Sequence, residues 1–278
     1  MSFQLELGSR THIMGILNLT PDSFSGDGIH GDVGRAVEQA EKMIGEGADI
    51  IDVGGESTRP GAAAVSIEEE IKRVIPVVEK LSRVVRVPIS IDTRKSEVAH
   101  QALDKGASMI NDITGLELDT SMADLAAQYN AKVIIMHIKG EPQTMQEEPV
   151  YSDLMTEITE KLADLIRNAE DKGVKKENII IDPGIGFGKT FEHNLEILQS
   201  LSRFKSLGRP ILVGPSRKSF IGNILGVEPR QRIFGTAAAA AIAIKNGADI
   251  VRVHDVREMK QVAMVVDSIV RSKEVVNV

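Results

Sequence analysis

Two carboxylates, an amide and an ammonium stand where short apolar runs of this chain end. Asp92 follows residues 88–91, Asn111 follows 107–110, Asp182 follows 179–181, and Lys218 lies just beyond 210–213. An ionised carboxylate only accepts hydrogen bonds, an ammonium only donates, and an amide does both. Brought together, such a set suits a flat neutral heterocycle of the aminopyrimidinone kind. A carboxylate would accept from two neighbouring N–H groups, the amide would serve ring nitrogens, and the ammonium would meet a ring nitrogen or carbonyl. Two simpler readings stand beside this one. Asp92 could merely cap a helix starting near residues 93–96, and two carboxylates with an amide could hold a magnesium ion.

A second group points to an anion. Arg252 and His254 alternate on the last apolar run, so in a strand their side chains share a face. Asn18 ends the first run, which neighbours the last if the strands close into a barrel. The guanidinium offers phosphate oxygens a planar fork. The plainer alternatives are a structural salt bridge for Arg252 and a satisfied core histidine for His254. His137, at the end of residues 133–136, reads as mainly structural because nothing nearby in sequence gives it a partner. His12, His30, His100 and His193 carry no signal.

These residues need elements to position them. Eight apolar runs end in polar stops, the one not yet named being residues 50–53, which open onto Gly54-Gly55-Glu56-Ser57-Thr58-Arg59. Parallel strands buried on both faces read as unbroken apolar runs. Between them lie amphipathic stretches: one begins at Asp32 and another at Ser66 with a capping-box pattern. A repeated exit precedes several runs, namely Gly47-Ala48, Gly106-Ala107 and Gly247-Ala248, with Asn130-Ala131 as a variant. Glycine suits the left-handed residue just past a helix end. The repeating unit is therefore βα. The expected fold is α/β, a single (β/α)8 TIM barrel over residues 1–278, with a short N-terminal β-hairpin turning at Gly8-Ser9. Site residues would then gather at the carboxyl ends of the strands. No glycine-rich dinucleotide turn follows the first run, which argues against an open doubly wound sheet.

Composition removes several function classes. The 278 residues include no cysteine, so disulfides and a catalytic thiol are excluded. A formal charge of −7 argues against a broad nucleic-acid surface, and two tyrosines with no tryptophan leave little for stacking bases. The start of the chain alternates apolar and polar residues, and no run is long enough to span a bilayer. A cytoplasmic protein acting on small molecules, without membrane or nucleic acid, is expected. Residues 184–190, Gly-Ile-Gly-Phe-Gly-Lys-Thr, resemble a phosphate loop, but Pro183 stands where the first glycine is needed. Glu68-Glu69-Glu70 reads as a solvated first helical turn.

Residues 14–25, Met-Gly-Ile-Leu-Asn-Leu-Thr-Pro-Asp-Ser-Phe-Ser, and residues 52–61, Asp-Val-Gly-Gly-Glu-Ser-Thr-Arg-Pro-Gly, resemble the two signatures of the dihydropteroate synthase family of pterin-binding enzymes. Also similar are Ile91-Asp92-Thr93, Asn111-Asp112-Ile113-Thr114-Gly115, Met136-His137, residues 182–190, Ser216-Arg217-Lys218-Ser219 and Arg252-Val253-His254-Asp255. The likeness runs from the first strand to the last. It implies joining of p-aminobenzoate to 6-hydroxymethyl-7,8-dihydropterin diphosphate, with release of diphosphate and 7,8-dihydropteroate, by an SN1-like step in folate synthesis. By the same resemblance Asp92, Asn111, Asp182 and Lys218 hold the pterin. Asn18 meets a magnesium ion, and Arg252 with His254 meets the diphosphate. Thr58 and Arg59 carry substrate contacts, while Phe24, Pro60, Phe187, Lys218 and Ser219 border the aminobenzoate. One departure lies in the first loop: relatives usually read Ser-Phe-Ser-Asp-Gly-Gly, and this chain has Ser23-Phe24-Ser25-Gly26-Asp27-Gly28. Asp22 becomes the steadier acidic candidate and Asp27 the alternative. The family is usually dimeric, and the small-residue stretch 236–244 could pack closely against a second copy.

Three rivals follow from the same residues. A methyltetrahydrofolate-dependent methyltransferase would need the pterin pocket but no diphosphate site. A sugar-phosphate aldolase would use Lys218 as a Schiff base. A non-enzymatic carrier would bind pterin and release nothing.

Overall fold

The computed structural model describes residues 7–20, 31–57, 64–140, 144–146 and 149–271. Among these, eight strands form one all-parallel sheet: β1 (His12–Asn18), β2 (Ile50–Gly54), β3 (Ile89–Asp92), β4 (Met109–Asp112), β5 (Lys132–Met136), β6 (Ile179–Asp182), β7 (Leu212–Val213) and β8 (Ile250–Val253). Their order is β6-β5-β4-β3-β2-β1-β8-β7, so each strand neighbours its sequence successor and β1 joins β8. The ring is closed by a parallel bridge between Ile181 and Ile211, with Ile181 N–H donating to Pro210 O at 2.9 Å. The fold is the expected (β/α)8 barrel.

Helices follow the strands in turn: α1 (Val33–Gly45), α2 (Ile67–Val84), α3 (Ser96–Asp104), α4 (Met122–Tyr129), α5 (Leu154–Asp171), α6 (Phe191–Gln199), α7 (Ser219–Leu225), α8 (Ile233–Lys245) and α9 (Val256–Val270). Asp32 and Ser66 are the N-caps expected of them, accepting from Arg35 N at 2.9 Å and Glu69 N at 3.2 Å. The four helix exits are left-handed as the pattern required, with φ of 106° at Gly47, 109° at Gly106 and Gly247, and 50° at Asn130.

Side-chain alternation builds two cores from one barrel. Residues such as Ile51, Val53, Ile91, Ile110 and Ile135 face the helices, while Met14, Ile50, Met109, Ile134, Ile180, Leu212 and Ile250 fill the barrel's interior. Two positions further along the same inward faces stand Ile16, Asp52, Asn111, Met136, Asp182, Gly214 and Arg252. The interior is thus apolar at one level and largely polar at the next, towards the strands' carboxyl ends. At the opposite end Leu7 packs on the apolar layer and bridges to Arg10 across Gly8 and Ser9. The turn at Gly8-Ser9 is where it was expected, although the bridge across it is parallel; the rest of the expected hairpin lies outside the described residues.

Candidate active site

A cavity of about 640 Å³ opens at the carboxyl ends of the strands. Asn18, Asp92, Asn111, Asp182, Phe187, Lys218, Ser219, Arg252 and His254 all line it. Thr58, Arg59, Pro60, Phe24, Asp22 and Asp27 lie outside the described residues.

The floor of this cavity is ionic. Arg252 Nε is 2.6 Å from Asp52 Oδ2, and its Nη2 is 2.6 Å from Asp92 Oδ2. Asn111 Nδ2 donates to the same Asp52 oxygen at 3.0 Å. Asp52 is fully buried, so its charge is tolerable only because a guanidinium and an amide meet it. Burial would lower the Arg252 pKa, but the two carboxylates hold it above its ordinary value. Burial pushes Asp92 upward; Arg252 opposes the shift, and Asp52 adds to it. The cap reading of Asp92 does not hold, because α3 begins only at Ser96 and its N-cap position is Lys95. Arg252 uses two of its five N–H donors here, so the salt-bridge reading and an anion-binding role are compatible.

Asp182 closes one side. Its Oδ1 accepts from Gly184 N at 2.7 Å. Burial raises its pKa to about 6, against the pull of that N–H and of Lys218, Lys189 and Arg252. It is therefore ionised for the most part at neutral pH, a buried acceptor facing the cavity. Lys218 Nζ lies over the Phe187 ring, 4.1 Å from its centroid. This contact joins the loop after β6 to the loop after β7, and gives the cavity one flat aromatic wall beside a cation.

On the far side, Ser216 Oγ is 2.9 Å from His254 Nδ1 and accepts from His254 N at 3.2 Å. The imidazole is thereby fixed in orientation. Arg217, at φ 57°, spans to Asp255 through Nε–Oδ2 at 3.1 Å and Nη2–Oδ1 at 2.6 Å. This bidentate pair locks the loop carrying Ser216 and Lys218 to the end of β8. Asn18 stands at the neighbouring end of β1, as barrel closure required.

Three residues in and around the site were not legible as functional. Asp52 was hidden inside an apolar run, although its period-two relation to Ile50 places it inward. Ser216 carried no signal apart from the motif around it. Lys189, only 2% exposed, sits with Nζ 3.0 Å from His137 Nδ1. His137 therefore has a partner, and the expectation that it has none is corrected: the partner is 52 residues away in sequence and reaches it only through folding. Glu70 is corrected as well. The helix turns it inward to full burial, where Lys95 pairs with it, so the Glu68-Glu69-Glu70 run is not uniformly solvated.

The sequence matches the family model described as "Pterin binding enzyme" over residues 14–254. It is 51% identical to a dihydropteroate synthase of Clostridium beijerinckii over 97% of this chain and 98% of that one. The Yersinia pestis dihydropteroate synthase, solved as a sulfonamide drug complex, superposes with a TM-score of 0.92 at 44% identity, covering 95% and 96% of the two chains. A Clostridium difficile dihydropteroate synthase crystallised in the presence of pteroic acid gives a TM-score of 0.90 at 48% identity, over 97% and 100%. The chain belongs to the pterin-binding enzyme family. Within that family its function is that of a dihydropteroate synthase, a transferase of folate biosynthesis.

Proposed function

We propose that this site condenses 6-hydroxymethyl-7,8-dihydropterin diphosphate with p-aminobenzoate, and that each group of residues takes one part of that task. The observation that carries the reading is the convergence of Asp92, Asn111, Asp182 and Lys218 with Arg252 and His254 on one cavity, bounded by Phe187. Asp182, anionic and buried, accepts from the pterin's amino and ring N–H groups, and Asn111 and Asp92 complete the polar edge. Lys218 donates to the ring from its place over the Phe187 face. Phe187 and Ser219 border the aminobenzoate; Thr58 and Arg59, expected to carry substrate contacts, lie outside the described residues.

The chemistry follows from charge. Breaking the bond to the diphosphate places negative charge on the leaving group and positive charge on the exocyclic carbon, shared with the dihydropterin ring. Arg252 and His254 neutralise the first, and the carboxylates favour the second. Aminobenzoate nitrogen then attacks the carbon and loses a proton, so no protein nucleophile is required. Asn18 would offer one neutral oxygen to a magnesium ion beside the Arg252 guanidinium, as a hard cation needs. Among the described residues no group of three or more acidic or histidine side chains gathers as an all-protein cage. When bound, magnesium would add neutralising charge to the leaving diphosphate.

The reading includes a cytoplasmic location and a homodimer. Among the described residues, no helix is long and apolar enough to cross a membrane. The dimer is supported by apolar side chains left exposed on α7, α8 and α9, with Phe234 86% exposed and Met264, Val265 and Ile269 each above half. A methyltetrahydrofolate-dependent methyltransferase would give His254 and the remaining donors of Arg252 no anion to meet.

The dissociative step is tested with pterin diphosphate labelled with ¹⁸O at the carbon-bridging position. Without aminobenzoate, the label should scramble into non-bridging positions on the enzyme. Retention of the label, under conditions where aminobenzoate is rapidly consumed when added, would overturn the dissociative step.

A further inference from the structure

The loop after β6 is held by a lysine buried at its far end. Lys189 Nζ makes three contacts: His137 Nδ1 at 3.0 Å, His137 O at 3.3 Å and Phe187 O at 2.9 Å. The first two acceptors belong to the end of β5, the third to the loop itself. Between them Gly184 passes so close that a Cβ there would lie 2.0 Å from His137 O and 3.3 Å from Lys189 Nζ. The same Gly184 donates its N–H to Asp182, and Phe187 meets Lys218. The ammonium therefore ties together the backbone that orders two residues of the pterin pocket.

We propose that Lys189 is a positioning residue of the pterin pocket: its ammonium pins the loop between β6 and α6 to the end of β5 and sets a buried positive charge against Asp182. This rests on the assignment of Asp182 to the pterin. A buried ammonium is costly unless it is hydrogen-bonded and compensated, and both conditions hold. His137 is kept neutral by burial, and next by the Lys189 charge, so its Nδ1 accepts from the ammonium. Burial lowers the Lys189 pKa to about 7; Asp182 opposes the shift, while Lys218 and Lys139 add to it. Asp182 is faced in turn by Lys218, Lys189 and Arg252. Pterin affinity should thus peak between protonation of Asp182 at about 6 and loss of the Lys189 proton at about 7.

The test is calorimetric titration of the unreactive 6-hydroxymethylpterin into the wild-type chain, Lys189→Gln, Lys189→Met and Asp182→Asn, from about pH 5 to about pH 9. Lys189→Gln keeps a hydrogen-bond donor and loses the charge. It should move the acid limb of pterin affinity upward by about one pH unit, as removal of a facing charge does, and abolish the alkaline limb. Lys189→Met should show the same shift and a further loss of roughly 10-fold at pH 7, from release of the loop, at about 1.4 kcal/mol per decade. Combined with Asp182→Asn, neither substitution should retain a pH shift. Wild-type limbs in both folded lysine variants would overturn the proposal, as would failure of both to fold. If Asp182→Asn alone leaves pterin affinity intact, the pterin assignment falls instead.

Discussion

Arg252 on β8 and Asp92 on β3 are 160 residues apart in sequence and 2.6 Å apart in space, Nη2 to Oδ2, across the barrel's polar layer. With Asp52 they form a triad in which one cation serves two carboxylates. The residue expected to neutralise the leaving diphosphate is also the residue that bridges the two carboxylates of the site's floor, so structure and chemistry are tied to one side chain.

Arg252→Ala should therefore cost both stability and rate. Leaving Asp52 buried beside only an amide should destabilise the fold by ~3–5 kcal/mol, and loss of the leaving-group contact should slow turnover ~100- to 1,000-fold. Arg252→Lys, a point charge that cannot span two carboxylates, should fall between. Urea denaturation and diphosphate release read the two effects; a stable, inactive Arg252→Ala would dissociate them and contradict the triad's structural part.

Asp182→Asn should have opposite signs in the two assays. Burial raises the Asp182 pKa from 3.8 to about 6, so the native state binds more protons than the unfolded state in that window. Its contribution to stability falls as pH rises through the window, and the cost is fully present above about 6. The variant should gain about 1–3 kcal/mol at neutral pH, lose most of that gain near pH 4, and bind pterin poorly. Denaturation midpoints at the two pH values check the sign, and a variant less stable than wild type at neutral pH would contradict it.

The backbone at Gly184, φ +73°, has no room for a side chain against His137 O. Gly184→Ala should raise KM for the pterin substrate by at least ~10-fold by displacing the loop that carries Phe187. Gly45, which meets nothing within 4 Å and has no such backbone constraint, is the control; Gly45→Ala should be neutral or slightly stabilising. Equal effects of the two on KM would remove the steric argument.

Phe234, 86% exposed at the start of α8, should anchor the contact between two copies. Phe234→Asp should convert a dimer to a monomer in light scattering at micromolar concentration. A wild-type mass, whether one copy or two, in the variant would exclude this face as the interface.

Much of this was readable before folding, for specific reasons. A strand buried on both faces and ending in one polar residue reveals both the strand and its functional end, which exposed Asp92, Asn111 and Asp182. Arg252 and His254 were visible because two polar residues at i and i+2 on a buried strand share one face. Asp52 is masked by the apolar run around it, although the inward positions alternate Ile50 and Asp52 just as Ile180 precedes Asp182. The Lys189–His137 pair had no local signal, since neither residue differs from an ordinary loop lysine or core histidine until β5 and β6 lie side by side. Glu70 failed for the same reason: three consecutive acids look alike, and only the direction of the α2 face distinguishes the one that meets Lys95.

The most direct measurement is stoichiometric turnover with 6-hydroxymethyl-7,8-dihydropterin diphosphate, p-aminobenzoate and magnesium, following diphosphate and 7,8-dihydropteroate together. The geometry predicts one diphosphate released per dihydropteroate formed, with turnover lost in Asp182→Asn and in Arg252→Ala. Dihydropteroate formation that persists undiminished in both variants would contradict the assignment of this cavity as the reacting site.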